Sequence, residues 1–300
     1  MQADRRALAA ALAIIACFTV VEVAAGLIAG SLALLADAGH MFTDAAALGA
    51  ALFAAWMAAR PARGPWTFGF RRVEILAAQA NGILLALLGA WIVYAAIRRL
   101  VSPSDVEGEI VLGVGLAGIA VSLAATAILA RGSRESLNVR GAFLHVAADV
   151  VAFAGTSVAG FLILVTGWDR WDPLAGLAVA ALIFWAAFRL LRDSARIFLE
   201  GAPSDIDPAA VGRALAAEPH VVEVHDLHVW TVSTGFPALS AHVLVEPAAD
   251  CHAVRRSLER LLVERFELSH TTLQVEHASD TAGRVAFGRA FRRRAPLGRR

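Results

Sequence analysis

Residues Leu32–Met57 read LALLADAGHMFTDAAALGAALFAAWM. Polar groups interrupt this apolar run only at Asp37, His40, Thr43 and Asp44. An α-helix rises 1.5 Å per residue, so about 20 apolar residues cross the roughly 30 Å hydrocarbon core of a bilayer. The run is long enough to span a membrane. It also carries three ionisable groups at a depth where each costs a few kcal/mol to place.

Five more stretches qualify as spans: Leu8–Ala29, Ile75–Ile97, Ile110–Ala130, Phe143–Thr166 and Leu174–Leu191. Turn chemistry separates them, at Gly30-Ser31, Pro61 to Pro65, Ser102-Pro103-Ser104, Gly132-Ser133 and Trp168 to Pro173. The 300-residue chain is 58% hydrophobic, above the 45–50% or so of a soluble domain. Charges are sparse from Ala7 to Phe198 and dense from Asp205 onward. The expected organisation is a six-helix transmembrane domain over 1–200, a soluble domain over 201–283, and a disordered basic tail over 284–300. Arg5 and Arg6 precede the first run, but no small-residue cleavage site and polar mature chain follow it, so a retained span is expected.

Loop arginines set the orientation. With the N-terminus inside, that side holds Arg5, Arg6, Arg60, Arg63, Arg71, Arg72, Arg131, Arg134, Arg140, Arg189, Arg192 and Arg196, against Arg98, Arg99 and Arg170 outside. Both termini are therefore expected in the cytoplasm. All 27 basic residues are Arg, a composition that suits a GC-rich bacterial genome. Cys17 lies in a span and Cys251 in the soluble part, which argues against a disulfide framework. The tail from Arg284 carries seven Arg and no acid, as a segment touching anionic lipid would.

The soluble part reads as α-β-β-α-β: helix Asp207–Glu218, strands Val221–Val232 and Ala238–Val245, helix Asp250–Phe266 and strand Thr271–Glu276. Helices on one face of a three-stranded sheet follow. From Gly201 to Gly283 there are 12 acids, five Arg and seven His, a balance that favours cations over nucleic acid.

His40 and Asp44 stand four apart, and so do His145 and Asp149 in the fifth span. Residues at i and i+4 share a helix face. Two such helices facing each other offer two imidazoles and two carboxylates, a set that suits four-coordinate Zn²⁺. Four ionisable groups in lipid are hard to tolerate without a shared partner. A dication offsets the carboxylates, and the vacant site can hold protons instead. Alternation between metal and protons is the minimum machinery of exchange. Asp37, one turn before His40, reads either as a carboxylate that orients ligands or carries protons, or as a hydrated group near the end of its span. Glu22 and Asn81 read as inter-helix hydrogen-bonding groups.

The chain resembles the cation diffusion facilitators over essentially its whole length. The resemblance rests on Ser31–Asp44 (SLALLADAGHMFTD), Phe68–Glu74 (FGFRRVE), Gly141–Asp149 (GAFLHVAAD), Leu199–Pro203 (LEGAP) and Val224–Trp230 (VHDLHVW). It implies six spans, a cytoplasmic ferredoxin-like domain, a homodimer, and proton-coupled zinc efflux across a bacterial inner membrane. It also implies the zinc-type transport site, with cadmium or cobalt as further substrates. Imidazole donors agree, since manganese prefers oxygen. The loop Arg131–Arg140 lacks the His-rich run of many zinc members.

In the soluble part, strand alternation sends His225 and Asp226 to opposite faces, which excludes a simple chelate. His225, His242 and Glu276 fall on three strands and could meet across one sheet face. The resemblance implies metal ligands at these three positions, with Cys251 and His252 contributed by the partner subunit and zinc as a regulatory ligand. His220, His228 and His270 read as surface or interface histidines. An enzyme is not expected: neither His-Glu-x-x-His nor Gly-x-Ser-x-Gly occurs. A membrane-tethered metal sensor is the alternative, but it leaves the two intramembrane pairs without a purpose.

Overall fold

The computed structural model describes residues 2–130, 137–278 and 290–292, with side chains described at 13–47, 49–128, 149–278 and 290–292. The chain divides into two compact units, residues 1–52 with 77–191 and residues 53–76 with 192–300.

Six helices build most of the first unit: α1 (Gln2–Ile28), α2 (Leu32–Ala58), α3 (Val73–Val101), α4 (Gly108–Ala130), α5 (Leu137–Thr166) and α6 (Trp171–Phe198). Among the described residues, α2 to α6 are long and apolar enough to cross a membrane, and the described part of α1, Ala13–Ile28, is apolar but shorter. The whole of α1 runs 27 residues. Large apolar side chains such as Val20, Leu27, Leu87, Phe161, Trp185 and Phe188 are exposed. Water would penalise such a surface and lipid does not. The protein is a multi-pass membrane protein.

Inside the bundle α2 is central. Its Ala36 packs with Leu85 and Ile92 of α3 and with Ala180 and Ile183 of α6. Its Met41 packs with Phe18 of α1 and Phe153 of α5. Between lipid-exposed helices close contact, not water exclusion, supplies the attraction, so small residues sit where backbones meet. A Cβ on Gly160 of α5 would stand 2.5 Å from the Leu112 amide nitrogen of α4. Only glycine allows that approach.

The first turn of α2 has orphan N–H groups that must find acceptors. Ser31 Oγ accepts from Leu34 N at 3.2 Å and donates to Asp172 of α6 at 2.5 Å. The Asp172 carboxylate also accepts from Leu32 N at 2.7 Å and Ala33 N at 3.1 Å. Arg99 of α3 completes the cluster, 3.3 Å from Asp172 and 2.5 Å from the Gly30 carbonyl. Asp172 is fully buried. One carboxylate thus ties α2, α3 and α6 together at one end, and so sets the depth of every residue along α2.

The second unit holds α7 (Pro208–Ala217), β1 (Val221–Ser233), β2 (Phe236–Val245), α8 (Cys251–Phe266), β3 (His270–His277) and β4 (Phe291–Arg292). Asp207 caps α7 through Ala209 N, with Pro208 at the first helical position. β1 and β2 form an antiparallel hairpin that turns at Gly235, whose φ of +70° favours glycine. β3 joins β2 in parallel, giving the order β3-β2-β1-β4. The core joins Val211 and Leu215 of α7, Val224 and Val243 of the sheet, and Leu258 and Leu262 of α8. The connection between α2 and α3 belongs to this unit. Arg72 lies 3.6 Å from Glu200, and His270 packs between the rings of Phe68 and Phe236.

The fourth strand corrects the expectation of a solvated tail at residues 290–292; the rest of that tail lies outside the described residues. Phe291 pairs with Val224 and joins the core, and Arg292 Nε donates to Glu223 at 2.6 Å. The outer edge of β1 offers unpaired backbone groups. Two residues with one apolar side chain cover it at Glu223 and Val224, and a count of arginines hides that.

Candidate metal centres

Helical spacing puts His40 and Asp44 on one face of α2, with Nε2 of the imidazole 3.6 Å from Oδ2 of the carboxylate. Asp149 lies on α5 and is buried. His145 lies one turn earlier on the same helix, but its side chain is outside the described residues.

Two observations bring α2 and α5 together at this depth. Met41, next to His40, shares a cluster with Phe153, one turn beyond Asp149. Asp37 is close enough to both Asp44 and Asp149 for their charges to act on it. Asp37 is only 3% exposed, so it is not the hydrated group at the end of a span that one reading allowed. Its carboxyl group instead meets that of Glu22 from α1. Three helices therefore direct carboxylates toward one region of an apolar bundle.

Glu22, expected as an inter-helix hydrogen-bonding group, meets the carboxyl of Asp37 on α2. Sequence reading missed Asp172, which fell in the turn from Trp168 to Pro173 and anchors α2. A Ser-Leu-Ala run opening a long helix and an Asp-Pro opening another carry capping signals, but nothing in the sequence pairs them.

The second cluster is in the sheet. Donor atoms of His225, Asp226 and His242 all lie within 4.8 Å of one another. His225 and His242 are direct cross-strand partners, with ring centroids 5.4 Å apart. His242 Nδ1 stands 3.9 Å from Asp226 Oδ2, and the buried His225 has Nδ1 3.6 Å from Glu223. The alternation that excluded Asp226 fails here. The register of β1 shifts between His225 and His228, and Asp226 adopts φ +49°. Such a bulge adds a residue to one strand and re-aims its side chains.

Glu276 is not in this group. Gln274, not Glu276, sits beside His242 in the β2–β3 register, and its amide donates to Glu276. Cys251 Sγ lies 3.4 Å from His277 Nε2 of the same chain, and that nitrogen is also 3.1 Å from the Ala249 carbonyl. His252 contributes its backbone N–H to Asp250, which caps α8. Asp250 accepts from Ala253 N and His252 N, and these bonds hold its carboxyl group below the ordinary aspartate range. His220 pairs with Glu246 at 2.9 Å.

Zinc–nitrogen bonds are about 2.0–2.1 Å, so donors on one ion lie roughly 3–4 Å apart. Small side-chain rotations would bring His225, Asp226 and His242 to that spacing. Two imidazoles and a carboxylate suit zinc, with a fourth position left for water or another side chain.

The model of the cation efflux transmembrane domain matches residues 8–199, and that of the cation efflux protein cytoplasmic domain matches 203–278. The zinc transporter ZitB of Escherichia coli is 40% identical over 276 residues, covering 91% of this chain and 88% of that protein. A cadmium, cobalt and zinc/H(+)-K(+) antiporter of Bacillus subtilis is 35% identical over 288 residues, covering 93% and 92%. The metal cation efflux system protein CzcD of Cupriavidus metallidurans is 37% identical over 276 residues, covering 92% and 87%. Both halves of the chain thus match one family, and the protein belongs to the cation efflux family, the cation diffusion facilitators, as a transporter and not an enzyme.

Proposed function

We propose that the protein exports divalent zinc from the cytoplasm in exchange for protons, through a site made by His40, Asp44, His145 and Asp149. The convergence of carboxylates from α1, α2 and α5, beside an imidazole–carboxylate pair, carries this reading. Such a constellation is costly in a bilayer unless cations neutralise it. Zinc requires deprotonated ligands, so its arrival expels protons and its departure lets them rebind. Asp37 serves as a proton carrier behind the ligands. The relatives named for zinc and for exchange with H⁺ support the same substrates for this chain.

The protein works as a homodimer in the bacterial inner membrane with both termini in the cytoplasm. The arginine distribution supports that orientation. Zinc at His225, Asp226 and His242 acts as a regulatory ligand, biasing the population of transport-competent states without lying on the transport path. Cys251 and His252, with Glu276, are the remaining candidates to complete that site across the dimer.

The test is zinc flux into proteoliposomes driven by an inward-acid pH gradient. Wild type accumulates zinc only with the gradient. Asp149→Ala lowers the rate by roughly 100-fold, since it removes a proposed metal ligand. Gradient-independent flux would refute proton exchange, and full activity in the variant would refute the site.

A further inference from the structure

We propose that Glu22 is a proton-binding residue of the transport cycle, sharing one proton with Asp37 across the contact between α1 and α2. This rests on the proton-exchange reading and adds a residue from a helix that supplies no metal ligand.

Among the described residues, Phe18, Glu22 and Gly26 form the buried face of α1, and Ala29 just beyond its end continues it. Glu22 is the one charged member, at 0% exposure. Neither of its oxygens meets an N–H or O–H donor among the described residues, and the same holds for Oδ2 of Asp37. The polar group that Glu22 does meet is the Asp37 carboxyl. Ionised carboxylates only accept hydrogen bonds. Two that meet away from water cannot both be charged, whereas one shared proton halves the charge and makes the bond. A proton also needs no coordination shell, and the pair has no imidazole to favour zinc.

The charged groups acting on the pair come from the elements packed around it. α2 presents Asp37 and Asp44, and α5 presents Asp149. α4 packs on α1 and has one titratable residue, Glu109 in its first turn. Asp37 is three residues from His40, and Glu22 lies on a different helix from every proposed ligand. A dication held by the tetrad brings positive charge near Asp44 and Asp149. It therefore lowers the cost of ionising the pair, and the shared proton leaves to whichever side is open to water. When the metal departs, a proton returns. The coupling is reciprocal, so proton binding to the pair weakens metal binding by the same factor.

The experiment uses the full chain in proteoliposomes, with an internal pH dye and a zinc indicator read together over a pH series. In Glu22→Gln, zinc affinity at high pH should stay within about threefold of wild type, because no ligand is lost. Protons moved per zinc should fall by about one, and the pH dependence of the rate should flatten. Asp37→Asn should do the same. The double variant should be no worse than either single, because the two act as one unit. Glu22→Asp should recover part of the coupling. Should Glu22→Gln fail to insert, Asp37→Asn gives the same readout. Wild-type proton-to-zinc ratio and pH profile in both single variants would overturn the proposal while leaving proton exchange intact. A loss of zinc affinity like that of Asp149→Ala would also overturn it, making Glu22 a metal ligand or a structural group. No coupled proton movement in wild type would remove both readings.

Discussion

The intramembrane site and the sheet site use the same donors, imidazole and carboxylate, on opposite backbone principles. On α2, His40 and Asp44 meet because they are four apart on a helix, whatever surrounds them. In the sheet, His225 and Asp226 are adjacent in sequence and should point apart. They converge with His242 only because β1 bulges there. Each helical pair stands on secondary structure alone and the sheet cluster on a defect in it. The costs differ too: the helical pairs lie in an apolar bundle of membrane-spanning helices, where an unneutralised charge has little water to turn to. The sheet site is partly exposed, and its carboxylate and His242 can be hydrated when no metal is bound.

The largest expected contrast follows from that difference. Asp149→Ala should lower zinc flux by roughly 100-fold, whereas His225→Ala should change apparent affinity or rate only a few-fold. Equal losses in the flux assay would erase the distinction between a transport site and a regulatory one.

Asp172→Ala tests whether α2 needs its anchor. It strands Arg99, Ser31 and two backbone N–H groups in a buried setting, which costs about 3–5 kcal/mol. Thermal unfolding of the purified protein should shift markedly downward, with zinc binding at the sheet site unaffected. An unshifted melt would mean that the cluster does not hold the helix.

Asp226 and Glu276 compete for the place of carboxylate ligand in the sheet. Asp226→Ala should weaken zinc binding at that site by about 10–100-fold. Glu276→Ala should weaken it by no more than about threefold. Chelator competition on the full chain measures both, with the transport site disabled by Asp149→Ala. The reverse order would restore Glu276 as the carboxylate ligand.

The smallest effect concerns Asp250. Asp250→Ala removes the cap of α8 and should lower the melting temperature of the second unit by a few degrees. Its carboxyl group titrates below its unfolded value, which is about 3.9. The stabilisation is therefore fully present above that pH and is lost as pH falls through the folded value. The melting difference between wild type and variant should vanish in acid. A difference that persists there would mean that the cap does not act through its ionised form.

Legibility from sequence followed the same division. The six apolar runs and both four-residue pairs could be read directly, because length and i,i+4 spacing act within one segment. Glu22 was legible as a buried charge but not as a partner of Asp37. Phe291 was hidden among arginines, although it completes the sheet core. Asp172 gave no sign that it holds α2, 140 residues away in the chain.

Sequence by itself determined that this chain spans a membrane, carries two imidazole–carboxylate pairs within its spans, and holds an α+β domain after them. Those properties follow from hydrophobicity and periodicity, which are local. Tertiary structure alone decided which carboxylates meet, which strand bulges, and which residue anchors the central helix. Each of these depends on groups far apart in sequence being held at hydrogen-bonding distance, and no single segment encodes that.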